Sequence, residues 1–249
     1  MPNPVAFTVF GIDIRWYGIL IALGMVLAVA IAAKRCNRHG IVQDDVIDVV
    51  LYAVPAGIIG ARAYYCLFNW DFYSRYPEEI INFRAGGLAI HGGLILGALT
   101  VWLVCRRKKI SVLNFLDLIV PGVALAQSIG RWGNYFNSEA HGGPTDLPWG
   151  IMVYGEKVHP TFLYESIWCF GLFILLLILD NREHFQGKIL CLYGILYSLE
   201  RVFVEALRTD SLMIGPFKQA QLLSITVILI CVIAYIVLDK KYKNTKELN

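Results

Sequence analysis

The chain has 249 residues, 57% of them hydrophobic and 16% charged, with a formal net charge of +3. A soluble domain carries about 25% charged residues, so the composition excludes an ordinary soluble fold. The small basic excess sits in short segments between apolar runs and gives no basis for nucleic-acid binding.

Seven apolar runs fall within the roughly 17–25 residues that cross a bilayer: 16–33, 46–68, 86–105, 112–129, 162–179, 188–207 and 219–238. They predict an all-α polytopic membrane protein with about seven transmembrane helices. A single integral membrane domain is expected over 1–249. The first run is read as a retained helix. A secretory signal places its positive charges before the apolar core, whereas Lys34, Arg35 and Arg38 follow this one. Cytoplasmic loops collect Lys and Arg. Those three residues, then Arg106 to Lys109, then Arg182 and Lys188, then Lys240, Lys241, Lys243 and Lys246 all fall on one side if seven helices alternate. The expectation is an N-terminus outside and a C-terminus in the cytoplasm.

Ionisable groups within spans are costly and usually functional. The second run holds Arg62, and the third holds His91 in GGLAIHGGLILG, where Gly93 and Gly97 permit close helix approach. The fourth run holds Asp117, to which no role is given. It leads into GRWGNYFNSEAHGG, with Arg131, Asn134, Asn137, Glu139 and His141, and so into an outer Gly/Pro-rich loop at about 134–160. Tyr193, Tyr197, Arg201, Glu205 and Arg208 recur at helical spacing on one stripe of the sixth run. A lipid-facing stripe with two guanidiniums is expensive, so this stripe is expected to face the bundle interior. Arg201 and Glu205 could form a salt bridge that serves folding alone. Six cysteines show no CxxC spacing and no His at metal spacing, so they read as buried inert thiols. No metal and no organic cofactor is expected.

Two guanidiniums at a membrane interface call for an anion. Arg binds phosphate through bidentate, charge-assisted hydrogen bonds, and in a bilayer the abundant phosphate belongs to lipids. A phospholipid-headgroup site follows from the residues themselves.

Gly130-Arg131-x-Gly133-Asn134-Tyr135-x-Asn137-x-Glu139-x-x-Gly142 closely resembles the signature of the phosphatidylglycerol–prolipoprotein diacylglyceryl transferase family. The resemblance extends to IRWYG near the N-terminus, the HGG at His91, HPTFLYE at 159–165 and YSLERVFVEALR at 197–208. Tyr135 stands where Phe is more usual, and Phe162 where many members carry a polar residue. The resemblance implies transfer of a diacylglyceryl group from phosphatidylglycerol to the lipobox cysteine of a prolipoprotein. A thioether forms and glycerol 1-phosphate leaves, as the first step of lipoprotein maturation. It implies a multi-pass enzyme of the bacterial cytoplasmic membrane with its site toward the outer face. The expected roles are Arg131 on the lipid phosphate, Arg201 on the leaving phosphate, and His91 as the base. Asn134 and Tyr17 would orient substrate, Glu139 and Glu205 would position the arginines or assist proton transfer, and Gly142 would let the loop turn closely against substrate.

Two other classes fit less well. A headgroup transporter or flippase predicts polar residues through the full bundle depth, whereas here they cluster outward. An intramembrane protease needs a nucleophile elbow or an aspartate pair, and neither occurs.

Overall fold

The computed structural model describes residues 2–83, 86–209 and 211–247. Its long helices coincide with the seven runs: α1 (Trp16–Arg35), α2 (Gln43–Phe68), α4 (Ile90–Arg107), α5 (Val112–Asn137), α6 (Thr161–Asp180), α7 (Lys188–Leu207) and α8 (Gln219–Glu247). Among the described residues a single turn, α3 (Trp70–Tyr73), two short 3-10 helices (Cys36–His39 and Pro77–Ile81) and three small antiparallel hairpins complete the fold. The hairpins are β1–β2 (Val5–Val9 with Ile12–Arg15), β3–β4 (Ile151–Val153 with Glu156–Val158) and β5–β6 (Met213–Ile214 with Phe217–Lys218). Among the described residues six of the helices are long and apolar enough to cross a membrane; α7 is not among them, because it carries Glu200, Arg201 and Glu205.

One helix, α5, outruns its apolar run for a physical reason. Hydropathy ends the fourth run at 129, yet α5 continues to Asn137, so Arg131 and Asn134 are helical residues rather than loop residues. The helix ends where Ser138 and then Ala140 take positive φ, at 54° and 57°. Polarity had marked the end of the apolar surface and not the end of the helix.

Contacts gather in two compact units, one from residues up to Ala32 together with those from Leu116, the other over Ala33–Phe115. In the second unit α2 lies against α4 through glycines. A Cβ at Gly60 would stand 2.5 Å from the Gly92 carbonyl oxygen and 2.6 Å from Leu96 Cβ. The α4 glycines thus serve helix approach. Arg62 is buried there and donates to the carbonyls of Glu79 (2.5 Å), Ile80 (2.9 Å), Gly86 (2.6 Å) and Gly87 (3.0 Å). Its guanidinium staples the segment before α4.

In the first unit the core is Val120 and Ala124 of α5, Leu172 and Leu176 of α6, and Ile189 of α7. Asp117 of α5 receives the Gly187 N–H at 2.6 Å and the Leu190 N–H at 2.8 Å. Gly187, as the N-cap of α7, has no side-chain acceptor, and Asp117 supplies it from the neighbouring helix. In the same turn His184 Nε2 meets Asp180 Oδ1 at 3.1 Å. That hydrogen bond raises the His184 pKa above its ordinary 6.5. A raised folded value means stability fully present below about pH 6.5 and lost as pH rises through the folded value. We expect His184→Asn to lower the thermal midpoint in detergent at about pH 6 and to lose that effect near pH 9. An equal difference at both pH values would rule out the ion pair as its source.

Candidate functional site

The α7 stripe faces α5 and α6. Tyr193 and Tyr197 stack at 5.6 Å. Tyr193 donates to Gln127 Oε1 at 2.9 Å, and Arg131 Nη2 meets the Tyr197 hydroxyl at 3.3 Å. The centre is Glu165, in the second turn of α6, with a side chain 1% exposed. Its Oε2 takes Arg131 Nε at 2.9 Å, and its Oε1 takes Arg201 Nη1. Arg201 Nη2 in turn reaches Glu205 Oε2 at 2.6 Å. One carboxylate therefore bridges two guanidiniums from different helices, and a second pairs along α7.

Each position has a local reason. Arg131 rides the polar extension of α5, past the apolar surface. Arg201 and Glu205 are four residues apart on α7 and so share a face. Glu165 follows Pro160, which ends the outer loop and opens α6. Ion pairs in an apolar surround need good geometry and further hydrogen bonds to offset desolvation. The guanidiniums keep partial exposure, 19% for Arg131 and 15% for Arg201. The pair can hold a phosphate by its free N–H groups while its back is fixed by Glu165 and Glu205.

The outer loop is pinned above the end of α7. Gly143 N–H donates to the Leu207 carbonyl and Gly142 N–H to that of His159, both at 2.9 Å. A Cβ at Gly142 would stand 2.7 Å from His159 Cβ and 3.1 Å from the Leu207 oxygen. Gly142 thus lets the loop close against its own chain. Lys218 Nζ caps α7 through the carbonyls of Glu205 (2.7 Å) and Arg208 (2.7 Å).

The other expected residues fall in three places. Tyr17, in the first turn of α1, lays its ring over Gly133 of α5. Asn134 and Glu139 line a cavity of about 270 Å³ with His141 and Phe162. Glu139 Oε1 accepts from Asn137 at 3.1 Å; the carboxylate on Arg131 is Glu165. His91 opens α4 in the Ala33–Phe115 unit, exposed, with its ring 6.2 Å from that of Tyr64.

Sequence reasoning did not single out Glu165 or Glu200. Glu165 is an isolated acid in the apolar α6 and Glu200 adjoins Arg201 on α7, and the signal that could have found both is that intramembrane charge is costly. Glu200 is 4% exposed, and neither of its carboxyl oxygens has a hydrogen-bond partner among the described residues. Among the described residues no group of three or more His, Cys, Asp or Glu could hold a metal ion.

A family model described as prolipoprotein diacylglyceryl transferase matches residues 4–237. The chain is 54% identical to the phosphatidylglycerol–prolipoprotein diacylglyceryl transferase of Clostridioides difficile strain 630, over 96% of this chain and 97% of that protein. It is 50% identical to that of Finegoldia magna, over 96% and 95%. It is 44% identical to that of Bacillus cytotoxicus, over 92% of each.

Proposed function

The chain belongs to the prolipoprotein diacylglyceryl transferase family, a family of transferases, and from that premise we propose that it moves the diacylglyceryl group of phosphatidylglycerol to the lipobox cysteine of a prolipoprotein. The observation that carries the reading is the pair Arg131 and Arg201 held back-to-back on Glu165. The peptide thiol loses its proton, because a thiolate is the effective nucleophile. Its sulfur bonds to the lipid glycerol carbon, the carbon–oxygen bond to phosphate breaks, and glycerol 1-phosphate leaves. Arg131 binds the phosphate, and Arg201, fixed by Glu205, stabilises the charge that grows on it. His91 is the proposed base, since neutral imidazole accepts a proton in the physiological range. Tyr17 and Asn134 orient the headgroup or the peptide. Glu139 acts through hydrogen bonds within the outer loop, and Gly142 lets that loop sit close.

The proposed orientation, with the N-terminus outside, has this cluster at the outer face of a bacterial cytoplasmic membrane, where an exported cysteine emerges. The basic loops support that orientation.

The test is purified protein with phosphatidylglycerol and a lipobox peptide, followed by peptide mass. A diacylglyceryl increase is expected, absent when the peptide cysteine is serine. Arg131→Ala should cut kcat/KM about 10²–10³-fold, the loss typical of one charge-stabilising donor. Near-normal lipid affinity and rate in Arg131→Ala would sink the phosphate assignment, and His91→Gln with near-normal turnover at neutral pH would remove the base.

A further inference from the structure

One strand edge in the outer loop stands open, and the hairpin's parity shows which groups it offers. β3 and β4 are joined by Tyr154 and Gly155, with φ of 51° and 88°. In a two-residue turn of this kind the flanking residues form a hydrogen-bonded pair; here they are Val153 and Glu156. Bonded and non-bonded pairs alternate along an antiparallel ladder. Met152 and Lys157 are therefore the non-bonded pair, and both turn their N–H and C=O outward. The β4 side bears out this parity. The Lys157 carbonyl accepts the Thr145 N–H at 2.9 Å, and the His159 N–H donates to the Gly143 carbonyl at 3.0 Å. Residues 142–145 thus cover the outer edge of β4. Among the described residues nothing does the same for β3, and the Met152 N–H and C=O have no partner.

The open edge borders the 270 Å³ cavity, which Ile151, Met152 and Val153 line together with Asn134, Glu139 and Phe162. Asn134 follows Arg131 by three residues on α5, a rise of about 4.5 Å. Phe162 precedes Glu165 by three on α6. The cavity is therefore one helical turn from the bridged arginines on two helices at once.

We propose that the free edge of β3 binds the cysteine-bearing segment of the prolipoprotein as an added strand, with alternate side chains entering the cavity. The inference rests on the proposed peptide substrate. An extended peptide supplies the alternating N–H and C=O that such an edge lacks, which a lipid headgroup does not. Successive residues of an added strand are about 3.3 Å apart. A segment paired along β3 can therefore carry a thiol from the strand to the neighbourhood of the arginines within a few residues. The cavity's mixed lining, Phe162 and Val153 beside Asn134 and Glu139, suits an aliphatic side chain next to a solvated backbone.

Strand addition has a signature that general contact lacks. We would measure transfer with lipobox peptides carrying one backbone N-methyl group at successive positions. Met152 offers one outward carbonyl, so methylation at the one peptide position paired with it should raise the peptide KM roughly tenfold, as expected for a lost main-chain hydrogen bond plus a methyl clash. Methylation at the two adjoining positions, whose N–H groups point away from β3, should leave it near the parent value. In the protein, Met152→Pro deletes the outward N–H and spares those of Ile151 and Val153, which serve the ladder. It should raise the peptide KM by a similar factor, with the effect falling on the peptide and not on the lipid KM. Thermal melting in detergent shows whether that variant is folded; if it is not, the methyl scan decides alone. A flat scan with transfer intact overturns the proposal. A flat scan with an altered oligomeric state in Met152→Pro also overturns it, by assigning the edge to a second copy of the chain. No adduct on any peptide instead defeats the proposed function, and this inference with it.

Discussion

Glu165→Ala should be the most damaging single substitution in the chain. It is expected to lower kcat/KM by at least about 10²-fold and stability by about 3–5 kcal/mol. The carboxylate is 1% exposed and satisfies a guanidinium on each oxygen. Without it, among the described residues, Arg131 keeps one hydrogen bond, the 3.3 Å approach to Tyr197, and Arg201 keeps its ion pair with Glu205. Two like charges then face one another across an emptied site, and breaking a buried pair costs far more than the pair itself contributes. Catalysis suffers separately, because donors stabilise developing charge only when they are fixed beforehand. Glu165→Gln separates the two losses. Its amide oxygen still accepts from one arginine, so most of the thermal midpoint should survive while turnover falls. A Gln variant with both unchanged would show that the bridge is incidental to the reaction.

The sequence announced the helices because apolar runs of bilayer length have few other uses, and it announced the stripe of α7 because charge in such a run must turn inward. What it hid was partnership. Arg201 and Glu205 lie four apart, and their pairing, observed at 2.6 Å, is readable from spacing. Glu165 lies 36 residues from Arg201 and 34 from Arg131, and no local pattern ties them. Only the packing of α5, α6 and α7 makes one carboxylate common to both. The same limit applied to Arg62, whose charge within an apolar run is equally suited to an anion. Its observed partners are four backbone carbonyls, a form of satisfaction that residue types cannot foretell. The loop concealed its hairpin for another reason: strands of three residues are too short for alternation to rise above noise.

The bridge depends on where α7 begins, as well as on what it carries. Asp117→Ala is expected to cost about 3 kcal/mol, read as a fall in the thermal midpoint, and to reduce turnover with it. Two N–H groups, from Gly187 and Leu190, rest on this one fully buried carboxylate. Each would be left without an acceptor, at about 1–3 kcal/mol for a buried donor. Gly187 cannot compensate, since it offers no side chain at the N-cap. Arg201 lies 14 residues beyond Gly187 on the same helix, about 21 Å along its axis, so a small shift or rotation at the start carries through a rigid helix to the guanidinium. Asp117→Asn keeps one acceptor oxygen and should retain the greater part of both stability and rate. If Asp117→Ala lost stability but kept full turnover at a temperature where it stays folded, the anchor would belong to folding alone, and the placement of Arg201 would have to come from Glu165 and Glu205.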